Sequence, residues 1–457
     1  MKLNAKAIIV PAVLLTVSLS ACSSGNNNPN STGNENAANG SQETVTLNFL
    51  DWDTTGEMTK TTIEKFEEKY PNIKIKHSGV ANEGFKTKIN ALMATGDVPD
   101  IAQMTEDLAF KWGSEGKLLD LSKYYDKIPE LGNKLESSYY YIGENGENIG
   151  YMNGVESFQL FYNREVFEKA GIDAPPIEAE KAWDWDTFLK TAQKLTLDKN
   201  GKNASEAGFD PKNIVQYGVN FSAWWGAWNP LLASNNADIT NEDGTEFTMN
   251  NPESVEVFQA LQDLIHKYHV APSLMVQKNM SSLVTQFKDK RIAMAFDGQW
   301  NISAFAENDF NYGVAPLPKF KEPKTILLGS VFSVFAESKH PYEALLFYEF
   351  LNDFENNPNY ISGNLMPADK KFYTDQASMD RWINNDAHVK EYKVAVIDYV
   401  MNHSVIPAAY KLKNWTEIDQ KISPKIELIM SGKIPAQQAL DELKNEVQPL
   451  LQGKYSK

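Results

Sequence analysis

Val45-Thr46-Leu47-Asn48-Phe49 alternates apolar and polar side chains, the period of two expected of a half-buried strand. Ile63, Phe66 and Tyr70 then recur at helical spacing until Pro71-Asn72 ends the helix. Ile73 and Ile75 alternate again, and Phe85, Ile89, Leu92 and Met93 mark the apolar face of a second helix. Gly96-Asp97-Val98-Pro99-Asp100 turns the chain into apolar Ile101-Ala102, so the stretch from Val45 to Asp107 reads β-α-β-α-β. In a right-handed parallel sheet the carboxyl ends of such strands share one edge, and the segments that follow them converge on one crevice. Here those segments carry Trp52, Asp53, Glu83, Met104, Glu106 and Asp107.

Upstream of this unit, Lys2 and Lys6 flank an apolar run from Ala7 to Leu19, short for a bilayer span and ending in small residues, which predicts an export signal over residues 1–22. Leu19-Ser20-Ala21-Cys22 resembles the lipobox of bacterial lipoproteins, and Cys22 is the sole cysteine. The resemblance implies that Cys22 is acylated and becomes the mature N-terminus, holding the protein at the outer face of the cell membrane. Residues 23–43 are Asn, Ser and Gly with almost nothing apolar, which predicts a disordered tether with a root-mean-square span of about 25 Å.

What remains exceeds the size that one hydrophobic core serves, so two domains are expected. The 42% hydrophobic content is ample for both cores, and the net charge of −16 argues against nucleic acid or an anionic lipid surface as partner. A single cysteine leaves no disulfide, and a monomer is expected.

Downstream, Phe161-Tyr162-Asn163-Arg164 leads into Phe167-Glu168-Lys169-Ala170-Gly171-Ile172, and Trp185-Asp186-Thr187-Phe188 precedes Ala192-Gln193-Lys194-Leu195-Thr196. Phe287-Lys288-Asp289-Lys290-Arg291-Ile292-Ala293-Met294, Gly298-Gln299-Trp300 and Tyr312-Gly313-Val314-Ala315-Pro316-Leu317-Pro318 follow. With the lipobox and Gly96-Asp97-Val98-Pro99-Asp100, these motifs in this order resemble the family 1 extracellular solute-binding proteins of ABC importers, relatives of maltose-binding protein. The resemblance implies an α/β, two-lobe periplasmic-binding-protein-like fold, with a hinge of crossing strands and the ligand cleft between the lobes. It places residues 44–155 plus about 331–395 in the N-terminal lobe and 156–330 plus about 396–457 in the C-terminal lobe. Crossings are expected near Val155 to Leu160, near Gly329 to Phe335 and around Ala395 to Ser404. It also implies the importer's membrane subunits as partners, no cofactor and no enzymatic activity.

Sugars present hydroxyls and an apolar C–H face, so their sites combine aromatic platforms with acidic and amide groups. Ala223-Trp224-Trp225-Gly226-Ala227-Trp228 puts three indoles after a strand expected over Tyr217 to Phe221, with Trp225 slightly favoured as the platform. Trp300 follows Asp297-Gly298-Gln299 at the end of another strand. Trp52, Asp53 and Asp107 are the candidates on the first lobe, with helix capping the competing role for Asp53, Asp107 and Asp297. By resemblance Glu156 is a hinge acid that touches ligand; Trp415, on a helix, ranks below these.

The arginines are Arg164, Arg291 and Arg381 alone, so bidentate clamps for carboxylate or phosphate are scarce, which tilts the ligand towards neutral carbohydrate. A peptide or polyamine is the alternative on the same fold. An exported glycoside hydrolase would need two carboxylates flanking a scissile bond, and no spacing singles out such a pair. Asp198 to Glu206 has part of a calcium-loop spacing, but Lys202 and Ala204 stand where ligands are wanted, and His266 and His269 lack a third metal ligand.

Overall fold

The computed structural model describes residues 43–143 and 145–455; the leader, Cys22, nearly all of the tether and the side chains of Asn82 and Glu83 lie outside the described residues. The opening unit follows the expected order: β1 (Val45–Asp51), α1 (Glu57–Lys69), β2 (Ile73–Gly79), α2 (Asn82–Thr95), β3 (Ile101–Met104) and α3 (Glu106–Ser114). β1 pairs in parallel with both β2 and β3. The inward residues Leu47, Phe49 and Ile73 of these strands are all but fully buried. Phe66 of α1 packs against Phe347 at 4.8 Å and Phe350 at 5.3 Å on the later helix Pro341–Asn352. Burial of each such ring stabilises the lobe by roughly 1.5–3 kcal/mol.

A hairpin, β4 (Tyr139–Ile142) and β5 (Glu147–Tyr151), precedes the hinge. Next come β6 (Phe158–Asn163), α4 (Arg164–Ala170), α5 (Trp185–Leu195), β7 (Leu197–Asp198) and β8 (Ile214–Asn220). They are followed by α6 (Trp225–Ser234), β9 (Ile292–Gly298), β10 (Tyr312–Ala315), β11 (Thr325–Ile326) and β12 (Val331–Val334). α4 ends as expected at Gly171, which adopts φ 63° and donates its N–H back into the last turn. The two larger sheets are ordered β12-β3-β1-β2 and β10-β6-β9-β8-β7. These two sheets are the centres of two α/β lobes, and β12 returns the chain from the second to the first.

Where the chain passes between lobes, the segments 152–156 and 328–331 run antiparallel. Asn153 N donates to Ser330 O at 2.9 Å, and Glu156 N donates to Leu328 O at 2.8 Å. The crossing expected near Val155 to Leu160 is not one continuous strand: Val155 and Glu156 make isolated bridges to Met366 and Leu328, and regular pairing begins only at Phe158. The crossing strand expected from Ala395 to Ser404 is also corrected. Lys393–Asp398 and Tyr399–His403 are helical, and the third segment at the hinge is Met366, whose N–H and C=O both bond Val155.

Candidate functional site

The end of β1 and the end of β9 contribute to one chamber of about 300 Å³. Trp52 and Trp300 bring indoles from the two lobes, Glu156 and Asn153 come from one hinge segment, and Ser330 comes from the other. Asn357, Asn359 and Asn364 add amides. Gln103 Nε2 donates to Ser330 Oγ at 2.9 Å, and Ser330 Oγ donates to Asn153 Oδ1 at 2.8 Å, so the floor of the chamber is a fixed polar chain. Trp52 meets Phe85 edge-on at 6.2 Å, and its Nε1 is buried with no hydrogen-bond partner among the described residues.

Trp300 owes its place to its neighbours. A Cβ on Gly298 would lie 2.1 Å from the Trp300 ring, so only glycine admits this approach. Asp297 accepts from Gly298 N at 2.7 Å and from the side chains of Asn301 and Trp300. Burial pushes its carboxyl up to about 6 despite those donors. Asp297 is thus turned to the indole it holds and does not line the chamber.

Trp224 and Trp225 divide the roles expected of them. α6 starts at Trp225, which puts Trp224 at the N-cap with extended backbone. Trp224 stays 44% exposed, 6.0 Å from Trp300 and 5.8 Å from Phe158. Trp225, the favoured platform, is buried edge-on against Tyr410 and Trp415 at 5.8 and 6.1 Å. That preference is corrected: the open indole is Trp224, because a helical start turns the next residue inward.

Asp53 lines the chamber, yet its carboxylate caps α1. Oδ1 accepts from Gly56 N at 3.0 Å and Thr55 Oγ1 at 2.8 Å, and Oδ2 accepts from Met58 N at 2.8 Å and Thr59 N at 3.1 Å. Burial opposes ionisation, but these donors outweigh it and hold the carboxyl below its ordinary range. Asp51 beside it holds His77 Nε2 at 2.7 Å. Burial raises Asp51, and the hydrogen bond to Asp51 raises His77.

Asp107 lies elsewhere, in a second chamber of about 290 Å³ with Lys86, Lys111, Asn414, Trp415, Thr416 and Tyr455. Between the chambers, Glu106 bonds the Tyr410 hydroxyl, and burial, with Asp107 and Glu156 adding to it, pushes Glu106 up to about 8. Glu156 is pushed up to about 7 by burial.

Of the expected site residues, Trp52, Asp53, Glu156 and Trp300 line one chamber, and Asp107 lines the other. Trp224, Trp225 and Asp297 line neither; Trp224 and Asp297 flank Trp300. Sequence reading missed the amides, although Asn356-Asn357-Pro358-Asn359 is an asparagine-rich run that signals them; Trp415, ranked below the other candidates, is buried and lines only the second chamber. The oxygens of Asp198 are taken by its own loop, from Asn200 N at 2.8 Å, Lys202 N at 3.0 Å and Asp210 N at 3.0 Å. Among the described residues no cluster of His, Cys, Asp and Glu is grouped to hold a metal ion.

The sequence matches the family model for bacterial extracellular solute-binding protein over residues 52–358. It is 25% identical over 405 residues to the sn-glycerol-3-phosphate-binding periplasmic protein UgpB of Shigella flexneri, covering 83% of this chain and 85% of that one. Among solved structures, the substrate-binding protein of Listeria monocytogenes in complex with cycloalternan superposes with a TM-score of 0.76 at 22% identity, covering 89% of this chain and 99% of that one. The GacH receptor of Streptomyces glaucescens, solved unliganded and with acarbose, gives 0.70 at 19% identity, covering 90% and 99%.

Proposed function

Because the chain belongs to the bacterial extracellular solute-binding proteins, we propose that it is the lipid-anchored receptor of an ABC importer and captures an oligosaccharide free of anionic groups between its two lobes. The observation that carries this reading is the Trp52–Trp300 chamber, with two indoles from opposite lobes, a ring of amides and one acid at the hinge. Indole faces suit the C–H surface of a pyranose, and amides and carboxyls pair with its hydroxyls. The ligand named for the Shigella relative carries a phosphate, whereas no Lys, Arg or His lines this chamber among the described residues. A phosphate there would be desolvated without a counter-charge, so that ligand does not transfer. The saccharides named for the Listeria and Streptomyces structures agree with the chamber's chemistry.

On this reading residues 44–155 and the segment from Val331 to the Met366 contact form the N-terminal lobe. The segment from Glu156 to Ser330 and the C-terminal helices form the other. Ligand touching both lobes stabilises the closed arrangement by the contacts it makes only there. A hydrolase reading loses ground because the carboxyls that share the chamber with Glu156 are engaged, Asp51 by His77 and Asp53 by the backbone of α1, and Asp107 lines the other chamber. Calorimetric titration with mono- and oligosaccharides tests the assignment, and no binding up to millimolar concentration of any carbohydrate sinks it. Mass spectrometry of membrane-extracted protein tests the anchor: a diacylglyceryl adduct on Cys22 is expected, and an unmodified cysteine or a mature N-terminus elsewhere removes it.

A further inference from the structure

Glu156 is a carboxyl without a counter-charge. Its backbone is fixed in the hinge by the paired bonds to Leu328 at 2.8 and 2.9 Å, while its side chain has no hydrogen bond or ion pair among the described residues. The other carboxyls of the chamber are engaged, Asp51 by His77 and Asp53 by the backbone of α1. Lys86 and Lys111 line the other chamber, where Lys86 is bound to Asp107 at 2.8 Å. An unpaired carboxylate in a partly desolvated, aromatic-walled site is costly, and it sheds that cost either by taking a proton or by meeting a cation. A second observation points at a ligand: Trp52 Nε1 is buried with no acceptor among the described residues. Trp52 and Trp300 line the same chamber as this acid, and an indole face near a carboxyl attracts an ammonium group.

Resting on the saccharide reading above, we propose that the ligand bears a protonated amine, an amino sugar, whose ammonium sits against Glu156 between the indoles of Trp52 and Trp300. In the empty cleft a proton stands in for that ammonium, which agrees with the upward shift of Glu156 to about 7. The groups facing this proton are Glu106 on α3, Tyr140 on β4 and Tyr410; Asp51 and Asp53 also line the chamber, and His77, bonded to Asp51, stands outside that lining. None of them brings a full positive charge to Glu156, since His77 is spent on Asp51. Binding an ammonium requires Glu156 ionised and releases its proton, so affinity for the amine rises as pH climbs from about 6 through the raised value of Glu156 and falls again where the amine itself deprotonates.

The test is isothermal titration of the intact chain with glucosamine oligomers, the matching N-acetylglucosamine oligomers, neutral gluco-oligosaccharides and spermidine. It is run at pH 6 and 7.5 in two buffers of different ionisation enthalpy. The expected result is at least about tenfold tighter binding of the amine form than of its N-acetyl partner at pH 7.5, with net proton release near pH 7. Glu156→Gln removes the preference. Should that variant fail to fold, the proton release of the unaltered protein still decides. Equal binding of amine and N-acetyl forms, or no proton release, overturns the amine and leaves the saccharide reading standing. Spermidine binding with no saccharide binding overturns the saccharide reading and the amino sugar with it.

Discussion

Thr416 Oγ1 donates to Asp107 Oδ2 at 3.1 Å, joining the first turn of α3 to the first turn of the helix Trp415–Met430. Lys86 Nζ reaches the same oxygen at 2.8 Å, and Thr105 Oγ1 takes the other at 2.7 Å. The bridge forms one wall of the second chamber and links the opening unit to the C-terminal helix.

If that bridge belongs to the closed arrangement, Asp107→Asn and Thr416→Val couple. A double-mutant cycle read in ligand affinity is expected to show about 0.5–1 kcal/mol of interaction, the worth of one partly exposed charge-assisted hydrogen bond. Strictly additive losses would mean that Asp107 works alone, through ligand or through Lys86.

Gly298→Ala drives a methyl group into the Trp300 ring, which has to rotate out of the chamber. The fold survives because Trp300 is only half-buried, while affinity drops by about tenfold, or ~1.4 kcal/mol. Gly226→Ala, whose Cβ would meet the Trp224 ring at 2.4 Å, is expected to cost less, because Trp224 is more open and gives way more easily. Calorimetry with tryptophan fluorescence reads both. Unchanged affinity in Gly298→Ala would remove Trp300 from the binding surface.

Asp53→Ala separates capping from binding. Losing the acceptors for Gly56, Met58 and Thr59 N–H is expected to destabilise the lobe by about 0.5–2 kcal/mol, seen as a lower Tm. Ligand affinity should change by less than about threefold. A large affinity loss with an unchanged Tm would show that the carboxylate serves ligand instead.

The local periods of the opening unit were readable because each strand and helix there is decided by its own neighbours: Leu47 and Phe49 alternate, and Phe66 and Tyr70 follow a helical face. The hinge was not readable in this way. Ala395, Val396 and Ile397 form an apolar, partly β-branched run that suits a strand, but all three are buried within a helical segment whose form long-range packing decides. The orientation of Trp225 depended on whether α6 had already begun, a matter of one residue. Asn357, Asn359 and Asn364 resembled ordinary solvated loop residues, and only the fold brings them beside Glu156.

The carboxyls of the cleft make an unusual pH dependence of stability. Burial raises Glu156 to about 7, Glu106 to about 8 and Asp297 to about 6. Asp51 is raised by burial and His77 by its bond to Asp51. A group whose pKa is higher in the folded chain holds its proton there after the unfolded chain has lost it. Between pH 4.5 and 8 the folded state therefore binds more protons, and the free energy of unfolding falls as pH rises. These contributions are complete below the ordinary carboxylate range, or below 6.5 for His77, and vanish as pH passes each raised value. Asp53 and Asp120 are shifted downward and act in the opposite sense only at about pH 4 and below, while His388, lowered by burial, opposes the trend below about pH 6.5 as one group against the several raised ones. The expected outcome is a Tm higher at pH 5.5 than at pH 8, with a slope of up to about 1.4 kcal/mol per pH unit for each proton so held. Replacing Glu106 by Gln should flatten the curve above pH 7, because a neutral amide keeps the contact with Tyr410 without a charge to desolvate. A Tm that climbs from pH 5.5 to 8 would mean that these carboxyls ionise freely, and that the cleft is wetter than its packing implies.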